Sequence, residues 1–230
     1  MPKKEWLSRT EALIGEEALD KLARARVIIF GVGGVGGYTF EALVRSGVEN
    51  IAIVDSDVVS ESNLNRQIIA TRSNIGKLKV EVARERALDI NPEAKITVFP
   101  IFYSEETENE INLSDYDYVV DAIDSVSSKL RLIENAVKCN TPIISSMGAG
   151  NKLNPSGFKV ADVYKTAVCP LARAIRTELK KRGIKKLKCV YSEEAPATLT
   201  QGRRTPASIA TVPSSAGLII AAEVIRDITK

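Results

Sequence analysis

The chain has 230 residues, 44% of them apolar, and a formal net charge of +3. This length suffices for one large domain or two small ones, and the apolar fraction suffices for a substantial core. It contains no histidine, which excludes Ser-His-Asp and Cys-His catalysis and histidine metal sites. Cys139, Cys169 and Cys189 form no C-x-x-C pair, so neither a structural zinc site nor a disulfide framework is indicated. Because no apolar run approaches the roughly 18 residues of a membrane span, we expect a soluble, cytoplasmic protein without membrane association.

Short apolar runs alternate with segments of helical periodicity over the first 150 residues. The helical patterns cover residues 11–22, 38–46, 77–90 and 127–138. The patterns of buried strands cover residues 27–30, 51–54, 96–99, 118–120 and 142–146. This alternation predicts an α/β fold with a doubly wound, mostly parallel sheet and right-handed crossovers. Ligands of such sheets bind at the carboxyl ends of the strands.

The sequence changes character after residue 150. Residues 158–163 fit an edge strand, 170–182 a strongly basic helix, and 214–228 an apolar helix packed on the sheet. Residues 193–208 are rich in Pro, Thr, Ser and Gly, which predicts a long, mobile loop of the kind that is often functional. Without an internal repeat or a linker, residues 1–230 are predicted to form a single domain. A C-terminal extension, about 151–230, completes the core of about 9–150.

A glycine turn follows the first predicted strand, with the sequence Gly31-Val32-Gly33-Gly34-Val35-Gly36. Its glycines let backbone N–H groups approach a phosphate closely, and the amino terminus of the next helix favours negative charge. Asp55 ends the second strand about twenty residues later, where a carboxylate can accept hydrogen bonds from ribose hydroxyls. The pattern predicts a nucleotide site.

The residues after Asp55 indicate which nucleotide. Polar side chains that can bind phosphate or sugar follow closely: Asp57, Ser62, Asn63, Asn65, Arg66 and Gln67. Lys79 opens the next helix. Arg66 offers a planar fork and Lys79 a point charge, a combination that suits a triphosphate. We therefore predict ATP, with an NAD-dependent oxidoreductase as the alternative from another class.

Two carboxylates end the fourth predicted strand, Asp121 and Asp124. A carboxylate beside a polyphosphate is a suitable ligand for Mg²⁺, which prefers oxygen and keeps some of its waters. We predict that Asp124 binds the metal, with capping of the following helix as the alternative, and that the adjacent Ser125 belongs to the ATP site. Asp121 is expected to be structural.

Five motifs occur in order: Gly31–Gly36, Asp55-Ser56-Asp57, Ser62–Gln67, Gly76-x-x-Lys79 and Asp121-x-x-Asp124. Together they resemble the adenylation core of the ThiF/MoeB/ubiquitin-activating superfamily over roughly residues 9–150. The resemblance implies a Rossmann-like adenylation fold, a homodimer, and adenylation of a carboxylate by ATP and Mg²⁺ with release of pyrophosphate. By the same resemblance, Gly34, Arg66 and Lys79 contact phosphates, Asp55 the ribose and Asp124 the metal; Arg66, Lys79 and Asp124 are the catalytic candidates.

The second half of the chain separates branches of this superfamily. Activators of sulfur carriers usually have two C-x-x-C zinc pairs, which this sequence lacks. Instead, residues 121–126, 147–151, 170–173 and 190–194 resemble the tRNA threonylcarbamoyladenosine dehydratases. That resemblance implies ATP-dependent cyclisation of the threonylcarbamoyl group on the adenosine beside the anticodon, and a cysteine desulfurase/sulfur-acceptor system as a partner. The alternatives are adenylation of the C-terminal glycine of a ubiquitin-like sulfur carrier and a non-catalytic module that binds a sulfur-transfer partner.

Basic side chains concentrate late in the sequence. They are Arg173, Arg176, Lys180, Lys181 and Arg182 on the predicted helix and Arg203 and Arg204 on the loop. Such clusters bind phosphate backbones in a salt-dependent way, so we predict contacts with tRNA; a solvated helix face is the alternative. Cys169 is expected to be a partly buried thiol, with a nucleophilic role as the alternative.

Overall fold

The computed structural model describes residues 4–198 and 206–230. Its seven strands form one sheet in the order β3-β2-β1-β4-β5-β7-β6. Their bounds are β1 Arg26–Phe30, β2 Asn50–Val54, β3 Lys95–Phe99, β4 Tyr118–Asp121, β5 Ile143–Ser146, β6 Phe158–Asp162 and β7 Lys188–Ser192. Neighbouring strands run parallel except for the antiparallel pair of β6 and β7 at one edge. The predicted α/β class and mostly parallel sheet are confirmed.

Within the described residues, seven α-helices cover the two faces of the sheet. Their bounds are α1 Ser8–Ile14, α2 Glu16–Arg24, α3 Gly36–Arg45, α4 Lys79–Ile90, α5 Val126–Lys138, α6 Pro170–Lys181 and α7 Thr211–Thr229. Helices α2, α3, α4 and α7 contribute to the core on one face, and α5 and α6 to the cores on the other. None of the helices in the described ranges is long and apolar enough to span a membrane.

Residues 27–30 of β1 and 51–54 of β2 are all apolar and buried, because both faces of these strands are covered. In β1, Val27 and Ile29 pack into the core with α3 and α7, whereas Ile28 and Phe30 pack toward α5. Phe30 also meets Tyr103 in an edge-to-face ring contact, with 4.8 Å between the ring centroids. The first strand and its turn are thereby held from both sides.

The sequence-based assignment is wrong at two elements. The helix predicted over residues 11–22 is two helices, because Gly15 adopts φ 85°, a left-handed conformation that favours glycine and ends α1. Strand β7 was not predicted, since its first residue, Lys188, continues a basic run. The strand nevertheless lies inside the sheet, between β5 and β6, with Cys189 and Val190 fully buried.

Helix α7 packs unusually close to α3. A Cβ atom added to Gly217 would lie 2.3 Å from the carbonyl oxygen of Val35 and 3.0 Å from Cβ of Tyr38. Thr39 bridges the two helices by donating its hydroxyl to the carbonyl oxygen of Gly217 at 3.0 Å. The apolar C-terminal helix therefore supports the start of α3, which follows the glycine turn.

Gly217→Ala is expected to lower the free energy of unfolding by about 1–3 kcal/mol, the usual cost of an overpacked contact. The methyl group would press on backbone, which cannot rotate away. Urea unfolding measures the change. Leu218→Ala, at a half-exposed position of the same helix, is the control; an equal or larger loss in that control would contradict the close-packing argument.

Candidate active site

A cavity of about 720 Å³ opens at the carboxyl ends of the parallel strands, within the size range of small-molecule sites. Ten of the predicted site residues line it: Gly31, Gly33, Gly34, Asp55, Asp57, Asn63, Arg66, Gln67, Lys79 and Asp124. Four others, Gly36, Ser62, Asn65 and Ser125, are described by the structure but lie outside the cavity wall. The loops after β1, β2, β4 and β5 thus bring most of the predicted residues together.

The glycine turn is shaped by a lack of space. A Cβ atom on Gly36 would lie 1.8 Å from the carbonyl oxygen of Gly31, and one on Gly31 would lie 2.7 Å from the carbonyl oxygen of Ala122. Gly31 also adopts φ 87°, which glycine tolerates best. The turn therefore passes close to the end of β4, and the amino terminus of α3 lies beside the cavity, where its dipole favours an anion.

Asp55 is held rigidly at the end of β2. Its carboxylate accepts hydrogen bonds from the N–H groups of Val32 at 2.8 Å and Asp57 at 2.9 Å. Burial raises the pKa of Asp55, against the opposing influence of Lys79 and these two N–H groups. The carboxylate of Asp55 is therefore fixed in orientation and largely shielded from solvent.

Lys79, the first residue of α4, is a buried cation that lines the cavity, with 5% of its surface exposed. Its ammonium lies 2.6 Å from Oδ2 of Asp57 and 4.0 Å from Oδ1 of Asp55. One lysine thus faces both carboxylates of the Asp55-Ser56-Asp57 motif. The sequence pattern assigned Lys79 to phosphate and gave no sign of this pairing.

Arg66 is positioned by its own neighbours. Its guanidinium donates to the carbonyl oxygen of Ser62 at 2.9 Å and to Oδ1 of Asn65 at 2.8 Å. Asn65 in turn donates to the carbonyl oxygen of Ser208 at 3.0 Å. Ser62 and Asn65 therefore support the arginine from outside the cavity wall.

Two amide side chains of the same segment are buried. Asn63 accepts the N–H of Ser60 at 3.0 Å and forms a capping box with it. Oε1 of Gln67, which lines the cavity, is buried and has no hydrogen-bond partner among the described residues. An unpaired buried acceptor is costly, so Gln67 retains bonding capacity at the cavity wall.

Asp124 is exposed and lines the cavity. Ser125, not Asp124, is the N-cap of α5: its hydroxyl accepts the N–H of Ser128 at 3.5 Å. The capping alternative for Asp124 is therefore wrong, and its carboxylate has no bond within the described chain that would keep it from a ligand.

A buried ion pair lies behind Asp124. Lys129 and Asp121 are both fully buried, and the lysine Nζ lies 2.7 Å from Oδ2 of Asp121. Lys129 also donates to Oγ of Ser145 at 3.3 Å and to the carbonyl oxygen of Ser146 at 3.0 Å, while Asp121 accepts the N–H of Ile123 at 3.1 Å. Asp121 is therefore fully paired inside the protein and does not line the cavity, which agrees with the expected structural role. Lys129, which sequence reasoning missed, joins α5 to the ends of β4 and β5.

The far end of the cavity is formed by residues that the sequence indicated only through motifs. Residues 146–152, which begin with the last residue of β5, line it together with Cys169, Pro170 and Leu171. Cys169 is buried, with 3% of its surface exposed, where a partly buried thiol was expected. On the β2 side, Ile101, Phe102 and Tyr103 complete the wall; no sequence signal had marked them.

The predicted basic residues differ in their surroundings. Arg176 donates to the carbonyl oxygen of Thr166 at 3.0 Å and to its hydroxyl at 2.8 Å. Lys181 and Arg182 both pair with Glu178. Arg173 and Lys180 are exposed on α6, and their charged groups have no partner in the ranges that the structure covers. Arg203 and Arg204 lie outside the described residues.

Lys129→Met should lower the free energy of unfolding by about 3–5 kcal/mol, because Asp121 would be left as an uncompensated buried charge. The double variant Lys129→Met/Asp121→Asn should recover most of that loss. Thermal and urea unfolding of the single and double variants test this. Lys138→Met, an exposed change on the same helix, is the control; a double variant no more stable than the single one would show that charge compensation is not the cause.

Similarity to known proteins extends along nearly the whole chain. The ThiF family model matches residues 7–230. The chain is 41% identical to the tRNA threonylcarbamoyladenosine dehydratase of Bacillus subtilis, over 97% of this chain and 94% of that protein. It is 34% identical to the Escherichia coli tRNA N6-threonylcarbamoyladenosine dehydratase solved in complex with AMP, with a TM-score of 0.92 over 99% of this chain and 96% of that one.

Another relative matches over a smaller share of this chain and of its own length. The sulfur carrier protein adenylyltransferase of Thermus thermophilus is 34% identical, over 57% of this chain and 48% of that protein. The Escherichia coli dehydratase was also solved in complex with ATP, at a TM-score of 0.89. The family model matches nearly the whole chain, and the glycine turn, the carboxylates and the cations lie at one cavity. This chain therefore belongs to the ThiF family.

Proposed function

We propose that this chain is an ATP-dependent tRNA threonylcarbamoyladenosine dehydratase. The observation that carries the proposal is the cavity. The glycine turn, Asp55, Arg66 and Lys79 line one part of it, and residues 146–152 line another part beyond β4. The similarity to two dehydratases along nearly the whole chain supports the substrate. By contrast, an oxidoreductase would leave Arg66 and Lys79 without a triphosphate to bind.

ATP fits the half of the cavity above β1, β2 and β3. Asp55 would accept the ribose hydroxyls, and Ile101 and Phe102 offer an apolar surface for the base. The amino terminus of α3, Arg66 and Lys79 would hold the phosphates. In this arrangement Arg66 binds as a fork, while Lys79 would shift its ammonium from Asp57 toward a phosphate.

Asp124 fits a shared magnesium site. No group of three or more carboxylates, cysteines or histidines able to hold a metal occurs in the described ranges. A single exposed carboxylate suits Mg²⁺ bound jointly by ATP phosphates and water. When bound, the metal would neutralise charge on the phosphates; Asp124 would hold it in position.

The reaction would proceed in two displacements. A carboxylate oxygen of the threonyl group attacks the α-phosphorus of ATP, and pyrophosphate leaves. The carbamoyl group of the same substituent then attacks the acyl carbon, AMP leaves with the carboxylate oxygen, and one proton is released. An intramolecular nucleophile has an effective molarity of about 10⁵ M or more when well oriented, so no enzyme thiol is required, and the buried Cys169 fits this.

The ATP-binding core of about 9–150 and the substrate-side extension of about 151–230 would act as a single domain. The protein would work in the cytoplasm as a homodimer, binding tRNA through exposed cations of α6, with a cysteine desulfurase/sulfur-acceptor system as a partner. The lack of paired cysteines in the sequence favours this substrate over a sulfur carrier.

The decisive experiment supplies the protein with ATP, Mg²⁺ and tRNA that carries threonylcarbamoyladenosine. AMP should form only with the modified tRNA, and mass spectrometry of its nucleosides should show loss of one water. Unmodified tRNA is the control. If a sulfur carrier alone drives exchange between ATP and pyrophosphate while modified tRNA does not, the proposal fails.

Arg66→Ala should lower the rate of AMP formation by about 10²-fold or more, the usual effect of removing a charged donor from a developing oxyanion. Arg66→Lys should recover only part, because a point charge does not replace a fork. Arg84→Ala, on the outer side of α4, is the matched control. Equal rates for Arg66→Ala and the control would remove Arg66 from the site.

Reversing the two unpaired cations of α6, in the variant Arg173→Glu/Lys180→Glu, should weaken tRNA binding and lower the slope of its salt dependence by about 2. Fluorescence anisotropy at several salt concentrations measures both. Lys95→Glu, on the opposite edge strand β3, controls for net charge. If that control weakens binding as much per charge, α6 is not the tRNA surface.

A further inference from the structure

The cavity extends beyond the space that ATP would use. The glycine turn, Asp55 and the residues after β3 surround its half above β1, β2 and β3, and Asp124 lies at the boundary after β4. The remaining half lies past the end of β5, where the segment from Ser146 to Lys152 faces Cys169 and Leu171. A molecule that presents a carboxylate to the α-phosphate would enter from this side.

A buried lysine lines this far half. Lys152 is 3% exposed and belongs to the cavity wall. Its ammonium donates to the carbonyl oxygen of Glu194. An ammonium has three N–H donors, and this is the one hydrogen bond it makes within residues 4–198 and 206–230. No carboxylate oxygen of these residues lies within ion-pair distance of its Nζ.

The nearest acidic group is already committed elsewhere. The carboxylate of Glu194 accepts the N–H groups of Leu153 at 2.9 Å and Asn154 at 3.0 Å. These two bonds lower the pKa of Glu194, with Lys152 a smaller cause at longer range. The carboxylate thus closes the loop after Lys152 and leaves the ammonium without a direct counter-charge.

The backbone around Lys152 fixes its position. Asn151 adopts φ 58°, accepts the N–H of Ala197 on its carbonyl oxygen at 2.7 Å, and accepts the N–H of Ala207 on Oδ1 at 2.6 Å. The lysine is therefore held at the cavity wall by three segments of chain. A neutral donor could make the bond to the carbonyl oxygen of Glu194 equally well, so this bond does not explain a lysine. Burying a cation without a counter-ion costs free energy, and binding of an anion would offset that cost.

We propose that Lys152 is the anchor for the carboxylate of the acyl substrate: its ammonium pairs with the threonyl carboxylate in the far half of the cavity and presents that group to the α-phosphate of ATP. Once the carboxylate becomes an acyl-adenylate it loses its charge, and the lysine keeps only its bond to Glu194. This inference rests on the proposed function and adds the group that selects an anionic substituent.

The test compares two probes that differ by one charge: the free nucleoside threonylcarbamoyladenosine and its methyl ester. With a non-hydrolysable ATP analogue present, ligand-detected NMR gives the affinity of each for the wild-type protein. The wild type should prefer the acid by about tenfold or more, as expected for a charge-assisted bond. Lys152→Met should lose this preference while its affinity for the ATP analogue stays unchanged.

Two further variants separate charge from structure. Lys152→Arg should keep a preference for the acid, because it keeps the cation, and it decides the matter if Lys152→Met does not fold. Lys159→Met removes an exposed lysine on β6 that pairs with Glu193 at 2.5 Å, and should change nothing. A purely structural Lys152 would lower the melting temperature in Lys152→Met and leave the acid-to-ester ratio intact.

The outcomes distinguish this inference from the proposed function. If the wild type forms AMP with modified tRNA but binds acid and ester equally, or if Lys152→Met keeps the preference, the anchor role is wrong and the proposed function stands. If Lys152→Met instead loses affinity for the ATP analogue, the lysine binds phosphate and the anchor role is also wrong. If the wild type forms no AMP with modified tRNA, the proposed function itself fails.

Discussion

The close approach of the first glycine turn to the end of β4 is the constraint on which the site depends. Gly31 and Gly36 leave no room for a Cβ atom between the turn and Ala122. Because the turn is this tight, α3 begins beside the loop that carries Asp124, and Asp55 can accept the N–H of Val32. The glycine-turn end of the cavity and the position of Asp124 therefore both depend on one contact between neighbouring strands.

Much of this arrangement could be predicted from local sequence. Parallel strands buried on both faces read as continuous apolar runs, so β1 and β2 were predicted to within a residue. Residues that follow such strands must meet at one edge of the sheet, which is why Asp55 and Asp124 line the same cavity. These features depend on the alternation of strand and helix, which local periodicity reports well.

Other features depend on contacts distant in sequence and left no local signal. Strand β7 is a short apolar segment between basic and polar residues, and only its neighbours β5 and β6 make it a strand. Lys129 looks like a surface residue of a helix, since its partner is known only once α5 is placed on the sheet. Lys152 is buried by loops from three parts of the chain, and Arg176 bonds inward to Thr166. Sequence patterns place charged side chains in solvent or against a ligand. For Lys129 and Arg176, tertiary packing instead supplies a partner within the protein.

The buried pair of Lys129 and Asp121 also constrains how this sequence can vary. Each residue is tolerated in a dry interior only because the other is present, so a change at either position alone leaves an unpaired buried charge behind the loop that carries Asp124. Replacing the pair would require substitutions at both Lys129 and Asp121. We therefore expect the two positions to vary together, although they lie eight positions apart in the sequence.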